Sequence, residues 1–134
     1  MKIPLIVLPD REGWNYQEVG WNLSVATPHI GGRVVFLTDG RAISYAESFL
    51  SFVEHYKLGE IVGEPTAGAN GNVNSFILPG GFNVTWTGMK VVKHDGSQHH
   101  TVGVLPTILF HRTLAGVAAG KDEYLEKALE IINK

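Results

Sequence analysis

The sequence predicts an α/β fold, with a parallel sheet, flanking helices and an antiparallel hairpin region. Residues 32–39 are a largely apolar run, which is typical of a strand buried on both faces of a parallel sheet. Residues 44–56 repeat apolar side chains at helical spacing, and Gly59 is the expected end of that helix. A second short strand is predicted at 60–63, so the strand–helix–strand order favours a right-handed parallel crossover.

The middle of the chain predicts antiparallel strands. Glycines punctuate the runs 73–79 and 82–87, and a further short strand is predicted at 89–93. Within the second run apolar and polar residues alternate, so the face that carries Phe82 and Trp86 is expected to pack in the core.

The two ends of the chain differ in pattern. Apolar residues at helical spacing from Leu125 to Ile132 predict a C-terminal helix, with Asp122 as its N-cap. Residues 1–31 contain three prolines and show only weak periodicity, so they are predicted to form an irregular N-terminal arm. The main predicted unit is therefore 32–134.

Composition excludes several classes of function. The chain has 134 residues, of which 44% are hydrophobic, so it can bury a core of its own. The formal net charge is −2 and no basic cluster is present, which argues against a nucleic-acid partner. Apolar runs are too short to span a membrane, and no secretory signal is recognisable at the N-terminus. The chain has no cysteine, which excludes disulfides, thiolate metal sites and a cysteine nucleophile.

Ser44 stands where the first predicted strand turns into the helix, and the run Ser44-Tyr45-Ala46-Glu47 has two interpretations. The first is structural: Ser-x-x-Glu before an apolar helical run is a capping box, in which the serine oxygen accepts a backbone amide and the glutamate returns to the serine amide. The second is functional: a serine at such a corner projects its hydroxyl above the sheet edge, where open α/β folds bind ligands.

The functional interpretation draws on the same helix terminus. The amides there carry partial positive charge, which suits a developing oxyanion, and the Tyr45 amide is the natural donor. A serine nucleophile also needs a base, which local pattern cannot supply. Glu47 is expected to act as a helix cap or to support the site from behind Ser44.

Three histidines lie close together in the sequence, near the predicted Asp95-Gly96 turn. His94, His99 and His100 suit metal ligation, but a polar surface hairpin is the simpler interpretation, and no metal site or cofactor is predicted. Lys57, Lys90 and Lys93 are interpreted as solvated charges.

Six separated segments resemble one protein family, in the same order and at compatible spacing. They are Phe36-Leu37-Thr38-Asp39, Ser44-Tyr45-Ala46-Glu47, Gly63-Glu64-Pro65-Thr66-Ala67-Gly68, Asp95-Gly96-Ser97, Val102-Gly103-Val104-Leu105-Pro106-Thr107 and Gly120-Lys121-Asp122-Glu123-Tyr124-Leu125-Glu126-Lys127-Ala128. This set resembles the C-terminal processing (tail-specific) serine peptidases and their tricorn-core relatives. The resemblance implies a crotonase-like α/β fold, a polypeptide substrate and a nucleophilic serine at Ser44.

The resemblance also exposes a departure from the family pattern. Members of the Ser-Lys type carry a lysine after the Gly-Glu-Pro-Thr segment, where this chain has Ala69. The chain then resembles the tricorn-type branch, whose base is a histidine from an upstream segment, whereas residues 1–31 contain only His29. We therefore expect residues 32–134 to be the C-terminal part of a serine peptidase catalytic domain that is inactive by itself.

The resemblance leaves further expectations open. His100 falls near the position where tricorn-like members carry the glutamate that orients the base, so it is a minor site candidate. The alternative function is that of the interphotoreceptor retinoid-binding modules, a non-catalytic domain that holds an apolar ligand. The family suggests an exported protein, and a homo-oligomer is compatible with an exposed sheet edge.

Overall fold

The computed structural model describes residues 5–10, 13–17, 20 and 24–134. Two parallel pairings and three antiparallel pairings organise its strands. The strands are β1 (Leu5–Asp10), β2 (Gly13–Gln17), β3 (Val35–Thr38), β4 (Glu60–Gly63), β5 (Val73–Ile77), β6 (Asn83–Thr87), β7 (Lys90–Val92) and β8 (Ile108–Leu109). The helices are α1 (Tyr45–Tyr56), α2 (Leu114–Ala118) and α3 (Glu123–Ile132).

The parallel sheet has the strand order β3-β4-β8, and the predicted strand–helix–strand unit forms its first part. Val35 pairs with Glu60 and Thr38 pairs with Gly63, so β3 and β4 run parallel as predicted. The prediction that the first strand is buried on both faces is wrong. β3 lies at the sheet edge, and the side chain of Leu37 is 42% exposed.

Helix α1 packs onto this sheet through its apolar stripe. Leu50 and Val53 of the helix form one core cluster with Ile61 of β4 and Val104, and Phe36 packs against it. Burying each such side chain stabilises the fold by about 1.5–3 kcal/mol. This cluster holds the beginning of α1 close to the carboxyl ends of β3 and β4.

The end of α1 differs from the prediction, because Lys57 rather than Gly59 terminates the helix. Lys57 adopts a left-handed conformation (φ 52°, ψ 48°) and its amide donates to the Val53 carbonyl. Gly59 has another role: a Cβ at this position would collide with the carbonyl oxygen of Val34. The glycine therefore allows the chain to approach β3 closely as it enters β4.

The antiparallel strands confirm one prediction and correct two. β5 and β6 pair from Val73↔Thr87 to Ile77↔Asn83, as the glycine-punctuated pattern indicated. The face with Phe82 and Trp86 is not core, since these side chains are 71% and 46% exposed. The arm 1–31 is not irregular throughout: β1 pairs with β2 and with the distant β7, a tertiary contact that local pattern cannot reveal.

The C-terminal helix is confirmed together with its cap. Asp122 accepts a hydrogen bond from the Leu125 amide at 3.1 Å, and α3 lies against β3 and β4. Two short elements, β8 and α2, escaped prediction because two and five residues are too few for a periodic signal. Within the described residues, no helix is long and apolar enough to cross a membrane.

Candidate active site

Ser44 occupies a strained corner at the beginning of α1. Its backbone has φ 55° and ψ −116°, a conformation that residues with a side chain seldom adopt, and its side chain is exposed. The side chain makes no capping hydrogen bond, so the capping box predicted as the structural alternative does not form. A conformation of this kind typically costs 1–3 kcal/mol and persists because the surrounding contacts impose it.

Two backbone hydrogen bonds hold this corner against the loop that follows β4. The Ser44 amide donates to the Ala69 carbonyl at 2.8 Å, and the Ala67 amide donates to the Ala42 carbonyl at 3.0 Å. Ala69, the position that carries a lysine in Ser-Lys members of the resembled family, is therefore adjacent to Ser44 in space. An alanine there provides no group that could remove the serine proton.

Glu47, one helical turn after Ser44, is fully buried and ties three chain segments together. Its Oε1 accepts hydrogen bonds from the Thr66 hydroxyl and from the Gly68 amide, both at 2.6 Å. Its Oε2 lies 3.2 Å from Nε2 of His99, which is also fully buried. Because an ionised carboxylate only accepts, Nε2 of His99 carries the hydrogen.

The electrostatics of Glu47 reflect two opposing effects. Burial by itself raises the pKa of this carboxyl group, whereas the hydrogen bonds from His99, Thr66 and the Gly68 amide lower it. The hydrogen bonds outweigh the burial, and the net pKa lies below the ordinary value of 4.5. Glu47 is therefore an anion at neutral pH, held beneath the corner that presents Ser44.

The loop after β4 can approach residues 101–103 closely because of its glycine. Gly68 has φ 68°, and a Cβ there would lie 2.6 Å from the Thr101 amide nitrogen. Thr101 in turn donates its amide to the Gly68 carbonyl at 3.0 Å, and the Thr66 and Val104 backbones are also hydrogen-bonded. The segment 66–69 is thus fixed on both sides, with α1 on one side and 101–104 on the other.

The structure corrects the interpretation of two charged or polar side chains. His99 was predicted on a polar surface hairpin, but it is fully buried against Glu47. In the described part of the chain its Nδ1 has no hydrogen-bond partner. Lys93 was predicted to be solvated, but it is only 8% exposed and pairs with Glu54 at 2.9 Å. In both cases the partner lies on α1, far away in sequence.

His100 does not contact Ser44 by a hydrogen bond. Its Nε2 accepts a hydrogen bond from the Val91 amide at 2.8 Å, which requires that nitrogen to be unprotonated. Burial lowers the pKa of this imidazole below its ordinary value of 6.5, and neighbouring His99 lowers it further. The neutral ring therefore anchors β7.

The sequence predicts part of this arrangement and leaves the rest unpredicted. It indicated Ser44, which directly precedes α1, and Tyr45 and Glu47, which lie in the first turn of that helix. It did not predict the role of Thr66, although this residue stands in the Gly-Glu-Pro-Thr segment, and it placed His99 in a histidine cluster without indicating its burial against Glu47. In the residues with described positions, no group of three acidic or histidine side chains is placed to hold a metal ion.

Comparison with known proteins gives the family. Residues 6–110 match the model of peptidase family S41, and the chain belongs to this family. The predicted resemblance to C-terminal processing and tricorn-core peptidases is thereby confirmed. No curated protein sequence matches the chain.

Solved structures share the fold over most of the chain. A candidate peptidase from Parabacteroides merdae superposes with a TM-score of 0.84 at 18% identity, covering 98% of this chain and 42% of that protein. Mature CPAF gives a TM-score of 0.63 at 30% identity, with coverages of 69% and 18%. The photosystem II D1 C-terminal processing protease gives 0.55 at 22% identity, with coverages of 82% and 28%. The chain thus spans less than half the length of each of these proteins.

Proposed function

We propose that Ser44 is the nucleophile of a serine peptidase that cleaves polypeptides through an acyl-enzyme. One observation carries the proposal: Ser44 is held in a strained conformation that exposes its side chain and leaves it out of helix capping. A capping serine would adopt extended backbone angles and accept an amide of the first turn, as Thr113 does at α2. Strain of this kind collects at functional sites, and a sharp strand-to-helix corner is a recurrent setting for a nucleophile.

The helix terminus supplies the second element of the chemistry. As the Ser44 oxygen attacks a peptide carbonyl, negative charge develops on the carbonyl oxygen. The first turn of α1, beginning at Tyr45, presents backbone amides and the positive end of the helix dipole to this charge. The Tyr45 amide is the proposed oxyanion donor. The base that takes the Ser44 proton returns it to the leaving nitrogen, so that collapse of the tetrahedral intermediate expels a neutral amine and leaves the acyl-enzyme, which water then hydrolyses.

Glu47 is proposed as a positioning residue. Its carboxylate joins the first turn of α1 to Gly68, and Ala69 directly after Gly68 accepts the Ser44 amide. Because one buried anion connects both sides of the corner, it opposes relaxation of Ser44 into an ordinary helical conformation. His99 belongs to this support, since it donates to the opposite carboxylate oxygen.

The general base is proposed to lie outside the described residues. In those residues the Ser44 hydroxyl has no hydrogen-bond partner, and the described imidazoles of His99, His100 and His111 bond to Glu47, Val91 and Glu64. A histidine from another segment of a longer protein, as in the tricorn-type branch, completes the mechanism. The chain alone is accordingly expected to be inactive, as the C-terminal part of a crotonase-like catalytic domain.

A fluorophosphonate probe tests the nucleophile directly. The protein that contains this chain together with its base should be labelled at Ser44, and Ser44→Ala should abolish both labelling and peptide hydrolysis. Ser75→Ala is the matched control, since Ser75 is an exposed serine on β5 and should leave both unchanged. Undiminished hydrolysis by Ser44→Ala would disprove the assignment.

Four related expectations stay predictions. His100 is bonded to the Val91 amide, and this bond does not place it in the site, so its role there stays a prediction. The alternative, binding of an apolar ligand, is not favoured by the cleft beside Ala42, whose lining carries several charged side chains. An exported location and a homo-oligomeric state are carried over from the family resemblance and the exposed edge strand alone.

A further inference from the structure

A cleft of about 660 Å³ opens at the carboxyl end of β3. Its lining comes from β3 and the loop after it, from Arg112 beyond β8, and from the beginning of α3. Ala42, two residues before Ser44, is part of this lining. In open α/β sheets the carboxyl ends of the parallel strands are the usual place for a ligand. The cleft is therefore well situated to bind a group next to the proposed nucleophile.

The charges in the cleft favour an anion. Asp39 is already paired with Arg41, whose guanidinium nitrogens lie 2.6 and 3.0 Å from one carboxylate oxygen, and this pairing lowers the pKa of Asp39. Arg112 is 3.9 Å from the same oxygen and stacks over the Tyr124 ring at 5.2 Å, leaving its side chain 41% exposed. Arg112 is thus oriented by its neighbours while its donors are only partly used.

Two further residues of the lining support this interpretation. Lys121 is exposed, and among the described residues it forms no ion pair. Thr38 is 6% exposed, and its buried hydroxyl lacks a hydrogen-bond partner within the described structure. A buried hydroxyl without a partner costs free energy, and Thr38 belongs to the wall of the cleft.

We infer that this cleft binds a carboxylate group of a polypeptide, held by Arg112 and Lys121. A guanidinium pairs with a carboxylate in a planar, bidentate geometry, and Arg112 is the guanidinium that Asp39 leaves partly free. With two acidic and three basic side chains in the lining, the cleft carries a formal charge of +1, which balances one carboxylate. That the carboxylate belongs to a polypeptide rests on the proposed function. The carboxylate is either a C-terminus or an acidic side chain.

The test is a calorimetric titration of the full chain with three versions of one short peptide. The first has a free C-terminus and one glutamate, the second is C-terminally amidated, and the third has glutamine in place of the glutamate. Loss of binding on amidation identifies a C-terminal carboxylate, and loss on the glutamine replacement identifies a side chain. Either result supports the inference, whereas equal binding of all three peptides would overturn it.

Variants connect the binding to the cleft. Arg112→Gln should weaken the affinity for the first peptide, which has both a free C-terminus and a glutamate, by at least about tenfold. This is the loss expected when one charge-assisted pair is removed. Arg33→Gln is the matched control, with the same change of charge in a different cleft, and should bind like the unaltered chain. If circular dichroism shows that Arg112→Gln does not fold, Lys121→Gln replaces it, because Lys121 is exposed. Unchanged affinity in the folded variant would refute the inference.

The titration measures binding without turnover, so its failure is distinguishable from failure of the proposed function. A chain that binds no carboxylate although the whole protein is labelled at Ser44 contradicts only the cleft. Carboxylate binding in a protein whose Ser44 is never labelled contradicts only the nucleophile.

Discussion

Replacing Glu47 by glutamine should destabilise the protein strongly although the two side chains have nearly the same shape. The carboxylate accepts from the Thr66 hydroxyl, the Gly68 amide and the His99 ring, and it is fully buried. Hydrogen bonds to a charged group contribute about 1.5–3 kcal/mol each, and neutral ones about 0.5–1.5 kcal/mol. The change therefore weakens three bonds by about 1 kcal/mol each, so the free energy of unfolding should fall by about 3 kcal/mol.

Urea denaturation followed by circular dichroism measures this free energy. Glu126→Gln is the control, because it removes the same charge from an exposed position on α3 and should change the unfolding free energy by less than about 0.5 kcal/mol. If Glu47→Gln were no more destabilising than the control, the three contacts would not carry the stability assigned to them. The same variant should also slow fluorophosphonate labelling of Ser44 in the whole protein, because the supported corner relaxes.

The Glu47 network also has a pH signature. The pKa of this carboxyl group is lower in the folded state than its ordinary value of 4.5, so the unfolded chain binds the proton more readily. Stability from Glu47 is therefore fully present above that value and is lost as the pH falls below it. Glu47→Gln should remove this part of the acid-induced loss, and an unchanged acid limb would contradict the lowered pKa.

Three further predictions concern the backbone and the neighbouring histidine. Gly68→Ala should lower the free energy of unfolding, measured by urea denaturation, by at least about 3 kcal/mol, because it adds crowding against Thr101 to the strain of φ 68°. Gly81→Ala is the control: its φ is 84° but the space around it is open, so the loss should be about 1 kcal/mol. Ser44→Gly should be about 1 kcal/mol more stable than Ser44→Ala, because glycine tolerates the positive φ, and equal stabilities would argue against strain. The pKa of His100 is lower in the folded state than its ordinary value of 6.5, so the stability that its neutral ring contributes is present above that value and is lost as the pH falls. His100→Gln should flatten this fall in the free energy of unfolding. An unaltered pH profile would contradict the bond to Val91, which is worth about 1 kcal/mol.

Local sequence pattern was sufficient to predict those elements that are determined by residues close together in the chain. The apolar spacing of α1, the short strand β4 and the Asp122 cap of α3 all follow from contacts along the chain, and all are confirmed. Pattern failed for β1, which pairs with the neighbouring β2 and also with β7 across more than 80 intervening residues; the second of these contacts lies beyond the reach of local pattern. It failed likewise for Phe82, since alternation shows that a strand has an apolar face but not what covers it.

Some features of the candidate site likewise follow from the sequence, and others appear only in the tertiary structure. Sequence by itself determined that a serine stands at a strand-to-helix corner, that Glu47 follows one turn later and that Ala69 replaces the expected lysine. Only the tertiary structure decided that Ser44 is strained and does not cap its helix, and that Glu47 is a buried anion bonded to His99, 52 residues away. The physical reason is that strain, burial and long-range hydrogen bonds arise when separate segments pack together, and no local pattern encodes them.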